Sequence, residues 1–189
     1  MPAAEDDMAG RITRIQASAV AVRDALPRAL AVNDPIYVGD VISTGKDARL
    51  EARMTDGSVL TLGERTSFVV IDYVFREGVG HATSRLMSGA MLAVSGQIAK
   101  LEGNPFKIET EAATIGIRGT TVWGGIIDDA WGVVMLEGTG VTVENRLGRV
   151  EITAPDTGTS VKDSATAPIS VRPWNADKLA RAKRTVTFN

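Results

Sequence analysis

The chain has 189 residues, a net charge of −2, an apolar share of 44% and only 5% aromatic residues. These values suit one core-forming domain with an appendage and lack the basic bias of a nucleic-acid binder, so no nucleic acid is expected as a partner. The absence of cysteine excludes disulfides, thiolate metal sites and thiol nucleophiles, and the single histidine, His81, leaves little for a zinc or iron site, so no cofactor is expected.

The first residues, Met1 to Asp7, lack the basic and apolar regions of an export signal, and residues 1–9 read as a flexible end. A signal removed upstream is the expectation. No apolar run approaches the ~18 residues of a membrane helix, so no membrane span is expected. From there to about residue 160, Val, Ile, Thr and Leu alternate with polar residues, and Gly or Asp-Gly breaks arrive at roughly the 8–12-residue spacing of an all-β domain. Ile12 to Val22 alternates as one strand. Val32–Asp34, before Pro35, turns the chain into Ile36–Val38, and Val41–Ser43 is another short strand after Gly39-Asp40. Leu50 to Leu62 reads as a hairpin, with Asp56-Gly57 fit for a type I′ corner. Phe68–Val74 is an almost continuous apolar run, as in a strand buried on both faces. Residues 76–81 read as a loop, and Arg85–Val94 as strands broken at Gly89, with Met87 and Met91 as core filler. Asn104-Pro105 marks a turn, and Phe106–Thr110 alternates cleanly. Trp131–Glu137 and Val141–Glu144 read as a hairpin about Gly138 and Gly140. Arg149–Thr153 and a segment near Val161 complete the strands. Residues 163–170 read as a linker, and Asn175 caps a helix from Ala176 to about Lys183, with Asp177 in its first turn and basic residues in its last.

In order along residues 10–162, these segments resemble the FecR family. Asp34, Ile36, Gly39-Asp40, Ile42 and Thr44-Gly45 are similar to its "GD.I.TG" stretch. Asp56-Gly57-Ser58 with Leu60 and Leu62 is similar to its "DGS.L.L" hairpin. Arg118-Gly119-Thr120 with Val122 resembles its most distinctive piece, and Leu136-Glu137-Gly138 with Val141 and Val143 its "LEG.V.V" segment. Thr110 is followed by Glu111 where the family usually has proline. The cytoplasmic segment, membrane helix and receptor-contacting domain of typical regulatory members are not recognised in the 189 residues. The resemblance implies an all-β fold of short stacked strands, solenoid-like or sandwich-like, here with a short C-terminal helix. It divides the chain into an N-terminal end (1–9), a β domain (10–162) and a linker with helix (163–189). It further implies a non-enzymatic protein-binding or regulatory scaffold in the periplasm or cell envelope, in signal transduction, with another envelope protein as partner.

The motif residues Gly39, Asp40, Thr44, Gly45, Asp56, Gly57, Ser58, Arg118, Gly119 and Thr120 are expected to hold the fold. Gly45, Gly57 and Gly119 fit places where a Cβ clashes or φ is positive, and Thr44 and Thr120 can bond turn backbone. Arg118, between Ile117 and Gly119, is expected to bury its stem and pair its guanidinium, a ligand contact being the alternative. Enzyme signatures are absent: there is no Gly-x-Ser-x-Gly elbow, no phosphate loop and no complete Gly-x-Gly-x-x-Gly. His81 reads as an exposed bystander, Asp128-Asp129 as a solvated turn, and Glu5-Asp6-Asp7 as a solvated end. Trp123, Trp131 and Trp174 read as core rather than a sugar platform. A calcium- or glycan-binding module and a structural spacer are the alternatives. An open sheet edge and the C-terminal helix are the candidate contact surfaces, with docking of Leu179 on the β body the favoured arrangement.

Overall fold

A computed structural model of the protein describes residues 7–103 and 105–189. The expected turn residue Asn104 and the acidic Glu5 and Asp6 lie outside the described residues.

The chain enters as β1 (Met8–Gln16), bends at Ala17 in the left-handed region (φ +57°), and runs on as β2 (Ala19–Arg23), the ladder passing from Gln16 opposite Arg49 to Ala19 opposite Thr44. The single strand expected over Ile12–Val22 is therefore two, and a bulge between Ile12 and Arg14 shifts the register of the first. A short strand that alternation did not reveal follows, β3 (Leu26–Ala29), then β4 (Pro35–Tyr37) and β5 (Val41–Thr44). The strands β6 (Arg49–Met54) and β7 (Val59–Leu62) form the expected hairpin, with Leu50 opposite Leu62. Its corner differs from a type I′ turn. Only Gly57 has positive φ (+85°), its N–H donates to Met54 O at 3.0 Å, and Met54 N donates to Ser58 O at 2.8 Å. This is a three-residue loop ending in a glycine bulge, which leaves Asp56 free to turn inward.

The next hairpin joins β8 (Ser67–Arg76) to β9 (Val79–Ser88) through Glu77-Gly78. The expected loop at 76–81 shrinks to that corner, and His81 stands on a strand. Phe68, Val70 and Tyr73 are buried, whereas Ile71 and Val74 are exposed, so the run is buried on one face only. Beyond Gly89 come β10 (Ala90–Val94), a 3-10 turn at Ile98–Lys100, β11 (Phe106–Glu109) and β12 (Thr114–Ile127). The predicted hairpin about Gly138 is one strand, β13 (Ala130–Asn145). Gly138 pairs with Thr120 without reversing the chain, and the register shift between Thr121 and Val122 accommodates Leu136 as the extra residue. The remaining elements are β14 (Gly148–Ile152), β15 (Thr157–Val161), the two-residue β16 (Arg172–Pro173) within the tail, and α1 (Ala176–Arg184). Asn175 caps α1 as its sequence predicts, its side chain accepting from Lys178 N at 2.8 Å.

Among the described residues all strands join one curled sheet. Its main path runs β3-β2-β5-β8-β9-β11-β12-β10-β7-β6-β1-β4, and β13 branches from β12 to carry β14 and β15. Only β9 and β11 pair in parallel. The path ends, β3 and β4, are brought together by a side chain: Arg28 on β3 donates to Pro35 O on β4 at 3.0 Å. The all-β expectation holds, as one curled sheet around one interior. Ile12, Ile42, Leu50, Phe68, Leu86, Ile115 and Val143 are among the residues meeting there. A second, smaller cluster lies on the outside of β10, β12 and β13, where Ala90, Trp123, Ile127 and Val134 are covered by Trp174, Ala182 and Val186 from the tail.

Candidate functional site

The ten motif residues are spread over four separate corners of the sheet. At the first, Asp56 is 1% exposed, and Ser58 lies beside it. The Asp56 carboxylate accepts from Ser58 N (3.0 Å), Ser58 Oγ (2.5 Å), the Tyr73 hydroxyl and Ile98 N (3.1 Å). One side chain thereby ties the β6–β7 corner to β8 and to the 3-10 turn. Burial first, then the adjacent Asp56 charge, push the Tyr73 phenol far above its ordinary value, so Tyr73 remains a donor.

At the second corner, Asp40 is fully buried beside Gly39 and accepts both guanidinium nitrogens of Arg28, at 2.8 and 2.5 Å, together with Tyr37 N at 2.8 Å. This two-pronged ion pair secures the seam between β3 and β4. The hydrogen bond it donates to Asp40 is the main cause that holds the Arg28 guanidinium above its ordinary value. At the third, Thr44 Oγ1 donates to Gly63 O at 2.6 Å and accepts from Thr66 N at 2.9 Å. A Cβ on Gly45 would lie 2.9 Å from Ser18 Oγ. At the fourth, Thr120 Oγ1 donates to Arg118 O at 2.7 Å and accepts from Gly140 N at 3.1 Å. Gly119 takes φ +53° there. The Arg118 side chain departs from expectation: it is 53% exposed, and it meets Glu151 at 3.4 Å across the surface. β12 pairs with β13 at this point, and Arg118 falls on the outward side of the ladder.

The other candidate groups are occupied or surface-bound. Trp123 is buried and donates its Nε1–H to Thr185 Oγ1 at 2.9 Å. Trp174 stands edge-on to it at 6.0 Å, and Trp131 is buried in the main interior, so none of the three offers a face to a sugar. Asp128 and Asp129 form the β12–β13 corner, both with positive φ. Asp128 is engaged by Arg181 at 2.8 Å and Lys178 at 3.5 Å; the Arg181 hydrogen bond foremost holds its carboxyl below the usual range. His81 Nε2 lies 2.6 Å from Asp72 on the exposed side of the β8–β9 ladder. Among the described residues no cluster of ligating side chains can hold a metal ion.

What the outside of the sheet presents is a row that single-strand inspection did not reveal. Register places Pro27 opposite Val22, Val22 opposite Val41, Val41 opposite Val69, and Val69 opposite Arg85. The neighbouring inward row is Ala21, Ile42, Phe68 and Leu86, all buried. Exposed Pro27 and half-buried Val22, Val41 and Val69 therefore lie side by side on the outward side of β3, β2, β5 and β8, with exposed Val20 flanking them. The row continues through the Arg85–Glu109 pair (2.7 Å) into a groove of about 420 Å³ lined also by Met87, Thr110, Glu111 and Thr114. The signal in the sequence is Ala19-Val20-Ala21-Val22. Alanines face the interior, and the larger apolar side chains face out.

The model of the family described as FecR protein matches residues 40–151, more than half of the chain. The chain belongs to the FecR family. Two crystal structures of a candidate anti-sigma factor from Parabacteroides distasonis ATCC 8503 share its fold. One, at 1.65 Å resolution, gives a TM-score of 0.59 at 17% identity. The other, at 2.50 Å, gives 0.58 at 18%. Each comparison covers 74% of this chain and 62% of the other, so the likeness spans less than two thirds of those proteins. No curated protein sequence matches. No helix among the described residues is long and apolar enough to cross a membrane.

Proposed function

We propose that this chain is a non-enzymatic regulatory module of the bacterial envelope that recognises another envelope protein, placed in the periplasm and acting in signal transduction. Membership of the FecR family and a fold shared with candidate anti-sigma factors support the regulatory class. Residues 10–162 serve as the recognising body and 163–189 as linker and helix. Nine of the ten motif residues act as fasteners of the corners, holding strands in place rather than touching the partner, while the exposed Arg118 side chain lies on the surface.

The observation that carries the reading is the outward row of Pro27, Val22, Val41 and Val69. A contiguous apolar face on the solvent side of a sheet usually marks a contact surface, because its exposure is otherwise unfavourable. The Arg85–Glu109 pair at its end supplies the polar rim that such surfaces carry. The test is site-specific photocrosslinking in cells that carry the native gene, with the reactive residue at Val20 or Val69. A discrete crosslinked protein from both positions is expected. Leu147, exposed on the β13–β14 corner away from the row, serves as control. The same product from Leu147, or none from the row, would refute this assignment.

A further inference from the structure

After β16, which pairs with β15, and the backbone bond from Trp174 N to Asp156 O (2.9 Å), the tail is attached to the sheet by side-chain packing and a few polar contacts. Trp174, Ala182 and Val186 belong to the small outer cluster with Ala90, Trp123, Ile127 and Val134, separate from the interior that holds the sheet together. Trp174, Lys178, Ala182 and Val186 recur every fourth residue, which aligns them along one side of the helix and its flanks. Ala182, the small member, is the one helical residue fully buried against the sheet. Trp174 meets Trp123 edge-on, and Lys178 Nζ lies 4.3 Å from the centre of the Trp174 ring.

Polar contacts complete the attachment, among them Lys178 to Asp128 at 3.5 Å and Asn189 N donating to Gln16 Oε1 at 2.9 Å. Trp123 Nε1 donates to Thr185 Oγ1. Asp128 receives Arg181. The Arg49 guanidinium, on β6, donates to Thr187 O and Arg184 O, each at 3.1 Å. The sheet supplies an indole donor, a carboxylate and a guanidinium around an apolar floor. The segment supplies a small-residue face, a basic residue and free C-terminal carbonyls. Such a set matches a helix laid in a groove. Release would uncover the Arg49 and Trp123 donors that the tail now engages, so that water could take them over. The connection through Asp163–Thr166 carries exposed Ser164 and Ala165.

We infer that the outer face of β10, β12 and β13 is a binding groove for a short basic amphipathic helix, which residues 172–189 fill as a detachable latch. The groove takes the same segment when it is offered as a separate peptide. This inference stands on the tail contacts alone and is independent of the outward valine row.

The experiment uses the full chain with a protease site inserted after Ser164. After cleavage, a fluorescein-labelled peptide spanning residues 165–189 is added, and its anisotropy is followed beside the far-ultraviolet spectrum of the sheet. The expected result is exchange of the labelled peptide for the cleaved tail, saturable and competed by unlabelled peptide, with the sheet spectrum unchanged. Ala182→Asp in the peptide should weaken binding at least tenfold. In the uncut chain, amides of α1 should exchange with deuterium at least tenfold faster than those paired between β12 and β13. Exchange of the peptide only as the sheet unfolds, or equal amide protection in α1 and β12, would overturn the inference by making the tail an integral part of the core.

Discussion

Removal of the Asp56 carboxylate tests whether one buried side chain holds three elements. Asp56→Ala leaves Ser58 N, Ile98 N and one of the Ser58 and Tyr73 hydroxyls, which then have only each other at 2.9 Å, without an acceptor in the interior. Each orphaned buried donor costs about 1–3 kcal/mol, and relief from burying a carboxylate returns part of the sum, for a net loss of roughly 3–5 kcal/mol. With a urea slope near ~2 kcal/mol/M, the unfolding midpoint should fall by roughly 1.5–2.5 M at unchanged slope. Asp56→Asn keeps the volume and one acceptor oxygen but turns an NH2 toward a donor, and should lose only about 1–2 kcal/mol. A midpoint shift for Asp56→Ala below roughly 0.5 M at unchanged slope would refute the reasoning. The same corner has a pH signature. The folded Tyr73 phenol lies above its unfolded value, so its contribution is fully present below pH ~10 and declines as pH rises past that point. The loss should approach about 1.4 kcal/mol per pH unit, and Tyr73→Phe should remove it from alkaline urea titrations.

Gly57→Ala places a Cβ that meets nothing within 4 Å, so its cost is the backbone strain at φ +85° alone, about 1–2 kcal/mol by thermal melting. Arg118→Ala, despite its place in the most distinctive motif, should change stability by less than about 0.5 kcal/mol, because its pair with Glu151 is solvent-screened. Val41→Glu should abolish capture by the partner while leaving the unfolding free energy from urea titration within about 0.5 kcal/mol of the parent, since the side chain faces outward. Asp128, held below its ordinary range chiefly by Arg181, supports the helix above that range and loses hold as pH falls through its folded value. Deuterium protection of α1 should therefore drop on acidification, and Asp128→Asn should remove that dependence.

Much of this protein was legible in local chemistry. Period-two alternation identified Leu50–Leu62 and Phe106–Thr110 as strands, because side chains on a pleated backbone must take opposite faces. Asn175 announced the helix start, because its side chain needs only the N–H of the residue three further on. The family motifs named the residues that occupy the four corners. Among the misreadings, two concern the course of the chain. Ile12–Val22 bends at an alanine of positive φ, and β13 passes straight through Gly138. In both, pairing with a distant strand overrode the usual turn chemistry.

Composition, period and motif thus determined the all-β class, the capped helix and the residues that fasten the corners, since each depends on chain neighbours within a few positions. Tertiary structure alone decided that Asp56 meets Tyr73 and Ile98, that Arg28 crosses the seam, and that Arg49 holds the carbonyls of the tail. It alone aligned Pro27, Val22, Val41 and Val69 into one outward row. These contacts join strands far apart in the chain, and a one-residue change of register would turn each of those side chains to the opposite face.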